Sequence, residues 1–425
     1  MYDTSMSMTP ARRLKAAYPL LIALAVATMA LPEAWPPAAA QLPSPSLVAA
    51  KADYQSKLAE YQAARQNYET LAEPYWISVG DKRQLRNTKR RNGEPIVADD
   101  YVLTQPPVYA GPPEPTDPSP EPPQTPPVAR AKIPTVPDFL GNALAQFQFV
   151  PTRPRSEIEF KIAYAKVAAA AGLTREQAVR VYAFESGGDG KYDVQAGLEY
   201  DRPNAHAVST ALGYNQLLNT NSVELMAEKG DKFLAELRSR SASLGDEARA
   251  ALDGKIAVVG AMIEFARSVP DDWSEHETIA NMPRGLGIHA MNLDVDVGPL
   301  LQTQKLLDSV TFARKKGFPR ELSAAELEMM NLTGDGNGFD MISMPAVMRE
   351  RVPTSNFFHR AGYERNPVAI RNNTVASLIA ATDAKMDAES KLQGARDLAA
   401  AFQRASAAQL RHAGSIFAPA SPEKP

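Results

Sequence analysis

The chain has no cysteine in its 425 residues. That excludes a disulfide framework, a thiolate metal site and a lipid-bearing cysteine. Period-two alternation of apolar and polar residues, the mark of half-buried strands, is nearly absent. No Gly-x-Ser-x-Gly elbow, phosphate-binding loop or internal repeat occurs. Neither sign of charge is in excess: 46 Lys and Arg against 49 Asp and Glu give a net charge of −3. That balance argues against nucleic acid as the main partner.

What is present divides the chain into four parts. Residues 1–40 read as a secretion signal: Arg12, Arg13 and Lys15 precede a mostly apolar Ala16–Leu31, and Ala38-Ala39-Ala40 suits cleavage before Gln41. The apolar stretch is short for a membrane span and is broken by Pro19. Export without cysteine suits a bacterial periplasm. Residues 41–100 hold a helix over about Leu47–Ala72 and a basic run of Lys82, Arg83, Arg86, Lys89, Arg90 and Arg91. Tyr54, Tyr61, Tyr68 and Tyr75 are seven apart. The stripe is read as packing on its own domain; the alternatives are a brief coiled coil or a docking face for a cell-envelope protein. The basic run is read as solvated charge, with contact to anionic envelope polymers as the alternative.

Residues 101–137 are proline-rich, with eleven prolines between 106 and 127. Such a segment favours polyproline II and reads as a stiff, exposed linker or a wrapping arm. Residues 138–425 carry helical patterns over roughly 156–171, 175–186, 220–229, 246–268, 298–316, 324–332, 374–390 and 394–412. The fold class is therefore mainly α, a helical domain with a C-terminal helical extension, preceded by the proline-rich arm.

The segment ending at Glu185 is the sharpest local signal. Thr174 and Gln177 form a capping box, and Gly187 offers a left-handed stop. Ala178, Val181, Tyr182 and Glu185 share one helix face. A carboxyl among apolar neighbours, at the negative end of a helix dipole, has its pKa raised. Such a group can serve as a general acid for glycosidic cleavage.

Three ordered stretches give this Glu a context: Glu185-Ser186, then Gly213-Tyr214-Asn215-Gln216, then Ala290-Met291-Asn292. Together they resemble the lysozyme-like lytic transglycosylases and the related goose-type lysozymes, over about residues 160–300. Tyr214 and Asn215 stand where the family has Leu and Met, and Met291 where it has Tyr. The long gap between Glu185 and Gln216 implies an insertion near Lys191–Asn204. The resemblance implies a lysozyme-like fold and cleavage of peptidoglycan glycan strands between N-acetylmuramic acid and N-acetylglucosamine. Glu185 would act as acid and then base, with no cofactor and no metal. Ser186, Gln216 and Asn292 would bond the substrate, Tyr182 and Tyr214 would line the cleft, and Tyr363 from the aromatic 353–367 segment would replace the absent Tyr. Asp294 and Asp296 are read as loop or cap residues; a second carboxylate near the cleft would permit hydrolysis, making a muramidase. A non-catalytic wall-binding or scaffolding protein of the same fold is the other alternative.

Other motifs fail on chemistry. Asn331–Ile342 imitates a calcium loop but ends in Ile342 where a bidentate Glu is needed, so Gly334–Asp340 reads as a glycine-rich turn. His276-Glu277 opens like a zinc motif, but Ala280 stands at the second ligand position. Gly285-x-Gly287-x-x-Ala290 has no preceding strand and so is no dinucleotide site.

Overall fold

A computed structural model describes residues 45–119, 133–190 and 209–416. The signal segment, its cleavage site and the implied insertion at 191–204 lie outside the described residues. The protein is mainly helical, and no strand occurs among the described residues. No described helix is long and apolar enough to cross a membrane.

The first helix, α1 (Pro45–Asn92), is far longer than the tyrosine stripe suggests, at about 72 Å for its 48 residues. It runs through Pro74 and takes in the whole basic run. Its inner stripe (Tyr54, Leu58, Tyr61, Tyr68, Ala72, Tyr75 and Val79) is half-buried or buried. The proline segment turns back and covers the distal part of that stripe. Its half-buried positions include Pro106, Tyr109, Pro112, Pro115 and Pro118, the three-residue period of polyproline II. Tyr109 meets Tyr61 and Tyr68 edge-on at 6.2 and 5.6 Å. The Arg65 guanidinium lies over both the Tyr68 and Tyr109 rings. Gly111 passes so near the helix that an added Cβ would be 2.8 Å from the Ala64 methyl. Asp117, further along the arm, lies in the field of Lys51, so arm and helix run antiparallel.

The basic run is not a solvated face. Arg86 is fully buried, donates to the carbonyls of Asp100 and Asn356 at 2.9 Å each, and stands 3.4 Å from Asp340. Arg90 pairs with the same Asp340 at 3.0 Å, and Lys89 pairs with Asp100 at 2.8 Å. Asn356 closes the joint by exchanging two hydrogen bonds with the backbone of Val102. These contacts fasten the base of α1 to the body.

The body is built from α2 (Val136–Phe147), α3 (Glu157–Ala171), α4 (Arg175–Ser186), α5 (Asn219–Ala242), α6 (Asp246–Ala266), α7 (Trp273–Ala280), α8 (Pro283–His289), α9 (Gly298–Lys315), α10 (Ala324–Thr333) and α11 (Asp335–Ser343). Three short helices follow, α12 (Ala346–Arg349), α13 (Arg360–Glu364) and α14 (Pro367–Arg371), then α15 (Val375–Glu389) and α16 (Gln393–Ile416). Gly334–Asp340 is not a free turn: Gly334 ends α10 and begins α11 at once. Helix α4 is enclosed by α10, α15 and α16, and α9 packs on α3, α5 and α10. Arg180 staples α4 to α15 through Asp383 and Asp387, at 3.0 and 2.8 Å. The start of α16 holds the loop after α4, with Ala395 N–H bonded to the Gly188 carbonyl at 3.1 Å.

Replacing Arg86 by Ala strands two buried carbonyls and removes one of the cations around Asp340. Urea unfolding of Arg86→Ala should show a loss of about 3 kcal/mol, whereas Arg91→Ala on the exposed side of α1 should be near neutral.

Candidate active site

Helix α4 is set by local chemistry. Thr174 Oγ1 accepts from Gln177 N–H and Gln177 Oε1 from Thr174 N–H, both at 3.1 Å. The Gln177 amide also donates to the Leu322 carbonyl at 2.9 Å, which ties this end of α4 to the entry of α10. The helix stops at Gly187, whose φ of +79° a side chain would disfavour. Glu185 is half-buried on the face that carries buried Ala178, Val181 and Tyr182.

Two residues of α10 meet it. Asn331 Nδ2 donates to Glu185 Oε1 at 2.7 Å. One turn earlier, on the same face, Glu328 is fully buried, with Asn331 beside it and no well-formed hydrogen bond to either of its carboxyl oxygens. Burial disfavours the ionised form of Glu328 there, and the two carboxyls act on each other: Glu185 raises Glu328, and Glu328 lowers Glu185. Burial, followed by the charge of Glu185, holds Glu328 well above the usual carboxylate range. Burial raises Glu185 too; the Glu328 hydrogen bond, the Lys385 and Lys305 ammoniums and the Asn331 amide pull it back down. Lys385 reaches in from α15, with its ammonium 4.2 Å from the centre of the Phe184 ring.

Asn331 also lines a groove of about 660 Å³ between α5, α7, α9 and the α10–α11 junction. Its walls carry Asn221, Glu224, Glu228, Lys229, Trp273 and Lys305. Glu224 is pushed up to about 7, by burial first and then by the neighbouring Glu228. Trp273 stands 44% exposed at the rim.

The structure distributes the other residues singled out by the sequence. Ser186 Oγ donates to the Tyr182 carbonyl at 2.6 Å, finishing the helix. Tyr182 and Tyr214 are fully buried with their rings 4.6 Å apart, and Tyr214 donates to Glu157 at 2.8 Å. Gly213–Gln216 form a tight turn closed by the Leu212–Leu217 bridge. Gly213 has a φ of +85°, and a side chain there would collide with the Gln302 amide. Gln216 takes a left-handed φ of +45°, and its amide bonds the Gly213 carbonyl at 2.9 Å.

Asn292 is fully buried in a polar knot. Its Nδ2 donates to Ser222 Oγ at 2.9 Å and to the His289 carbonyl at 3.0 Å; its Oδ1 accepts from Gln302 at 2.7 Å. His289 sits in the same knot between Ser222 and the Thr210 carbonyl, and burial lowers its pKa to about 4. Asp294 is a buried cap that accepts from the N–H groups of Thr152, Asp296 and Val297, and it shares Lys255 with Asp296. Tyr363 packs against Trp76 of α1, with ring centres 5.6 Å apart. None of these residues lines the groove.

Glu328, Asn331, Glu224 and Lys305 carry no functional signal in the sequence. Asn331 stands out there only as the first position of the failed calcium loop. Glu328 follows the Ser323–Glu326 capping box, a pattern that places the helix but not its partner. Compared with known proteins, the chain matches no family model, no curated protein and no solved structure.

Two measurements follow from this geometry. A carboxyl raised in the folded state binds a proton that the unfolded chain releases near pH 4.3. Stability therefore falls as pH rises from there towards the folded pKa, by about 1.4 kcal/mol for each pH unit crossed. Glu328→Gln keeps a donor for Glu185 without titrating, so urea unfolding between about pH 5 and pH 8 should show a shallower loss than wild type. Asn292→Ala takes one buried hydrogen bond each from Ser222, Gln302 and the His289 carbonyl, and should cost about 2 kcal/mol in the same assay.

Proposed function

We propose that the protein is an exported peptidoglycan-cleaving enzyme of lytic transglycosylase type. It would work in the periplasm on glycan strands, through a lysozyme-like helical domain with Glu185 as the reacting group. The observation that carries this reading is the state of Glu185: half-buried at the end of α4, raised by desolvation, and joined through Asn331 to an open groove. A carboxyl raised by burial, with an amide and two ammoniums at hand to support its anion, suits a one-carboxylate mechanism.

In that mechanism Glu185 gives its proton to the glycosidic oxygen between N-acetylmuramic acid and N-acetylglucosamine. The bond from that oxygen to muramoyl C1 breaks, and the N-acetylglucosamine leaves with a hydroxyl. The Glu185 carboxylate then takes the proton of the muramoyl 6-hydroxyl, whose oxygen bonds to C1 and closes the anhydro ring. Glu185 ends protonated, as it began, and no water is consumed. Asn331 holds the carboxyl in place throughout. Glu328 stabilises the carboxylate form with its own proton.

A second reading is a wall-binding protein without catalysis. It is favoured by one observation: the amides of Gln216 and Asn292, which the resemblance assigns to substrate, are bonded within the protein. A muramidase is the third, with Glu224 as the second carboxyl.

Incubation of purified sacculi with the protein, followed by mass spectrometry of the soluble products, separates all three. Anhydro-ended fragments are expected, with a loss of about 10²-fold or more in Glu185→Gln. Reducing ends, heavier by one water, would point to hydrolysis. Binding to sacculi with no release would favour the non-catalytic reading. Anhydro release unchanged in Glu185→Gln would overturn the assignment of that residue.

A further inference from the structure

The groove beside Glu185 has an unusual charge arrangement. Lys305 is half-buried in its wall, yet no carboxylate stands within 4.0 Å of its ammonium among the described residues. The nearby acids do not supply one. Glu228 and Asp308 are drawn to Lys229, at 3.0 and 3.4 Å. Asp308 also accepts from Gln304, and Asp335 accepts from Ser309 at 2.6 Å. Glu185 on α4, Glu224 on α5, Glu328 on α10 and Asp335 on α11 also lie in the field of Lys305, and burial shifts all four upward. A partly desolvated cation is thus left facing a space large enough for a small ligand, within the range of about 300–1,000 Å³ that such sites occupy. Trp273, exposed at the rim of the same space, offers a flat apolar face.

We propose that this groove binds an acidic sugar, with Trp273 stacking on the ring and Lys305 pairing with a free carboxylate. The inference rests on the glycan-cleaving reading and sharpens its substrate. N-acetylmuramic acid carries a lactyl carboxyl. Where a stem peptide is attached, that carboxyl is an amide and has no charge for Lys305. Where the peptide has been removed, it is a carboxylate and forms a charge-assisted hydrogen bond with the ammonium. The favoured strand is therefore one already stripped of peptide at the bound sugar. The reaction that supplies it is hydrolysis of the lactyl–peptide amide, in which water adds and a carboxylate and an amine are released.

The test uses the full chain carrying Glu185→Gln, so that cleavage does not consume the ligands, and isothermal titration calorimetry at about pH 6, between the ordinary carboxylate and ammonium ranges. Three probes of equal length are compared: a neutral N-acetylglucosamine tetramer, a peptide-free alternating N-acetylglucosamine–N-acetylmuramic acid tetrasaccharide, and the same tetrasaccharide bearing stem peptides. The peptide-free acidic probe should bind about tenfold more tightly than either of the others. Lys305→Gln should remove that preference, Lys305→Arg should keep it, and Trp273→Ala should weaken all three probes alike. Equal affinity for the three probes, or a preference that survives Lys305→Gln, overturns the proposal. Because binding is read without turnover, sacculi that release no anhydro products would refute the catalytic reading while leaving this result standing.

Discussion

A carboxyl group enclosed by protein, with no N–H or O–H to receive, has to keep its proton, because the energy of burying it as an unpaired anion is prohibitive. Glu328 comes near that limit: it is fully buried, and burial together with the charge of Glu185 holds it well above the usual carboxylate range. The group that α4 presents to it is Glu185. That pairing requires α4 and α10 to meet in one register, which the Gln177 bond to Leu322 secures at the far end of α4. Asn331 then falls one turn beyond Glu328 and reaches the same carboxyl. Lys305 and Lys385 approach from α9 and α15 without forming an ion pair with either acid. A close salt bridge would have fixed Glu185 as an anion, whereas cations at a distance leave both of its protonation states accessible.

The parts of this arrangement legible in the sequence are those governed by contacts three or four residues apart. The Thr174–Gln177 and Ser323–Glu326 boxes fix helix starts through bonds inside one turn, and both are present. The position of Glu185 on the apolar face of α4 follows from period alone. The orientation of Gln216 and Asn292 does not. An ordered motif specifies where an amide lies along the chain, while its hydrogen-bond partners are decided by Gln302, Ser222 and the turn at Gly213, which come from other elements. Tyr182 and Tyr214 are likewise easy to place on helix and turn. The burial of Tyr214 against Phe160 and Tyr164, and of Tyr182 against Tyr214, depends on α3, whose own pattern says only that it is helical.

The N-terminal hairpin shows the same division. A heptad of tyrosines and a run of prolines are each readable, and the three-residue period of one can lie along the three-and-a-half-residue period of the other. That they lie on each other is not readable, because neither segment names its partner. Tyr61 and Tyr68 of the stripe pack on Tyr109 of the arm, as the reading of packing on its own domain expects. The basic run departs from its solvated reading for a related cause: charge density suggests solvent unless the opposing acid is known, and Asp340 lies far along the chain on α11.

The proton balance at Glu185 also bears on how one carboxyl could serve as both acid and base. Desolvation favours its neutral form, which suits the first step. Once the proton has left, the surroundings favour the anion: Asn331 donates to it, the Glu328 carboxyl lowers its pKa, and two ammoniums lie in range. Each of these interactions is weaker when Glu185 is neutral, so their combined effect grows as the proton departs; on the proposed reading this would act as transition-state stabilisation. Glu328 differs from the ammoniums in one respect. Its own ionisation is opposed by the charge on Glu185, so forming the carboxylate strengthens its hold on the proton it donates. On the proposed reading, a second carboxyl would thereby support one-carboxylate chemistry without itself reacting.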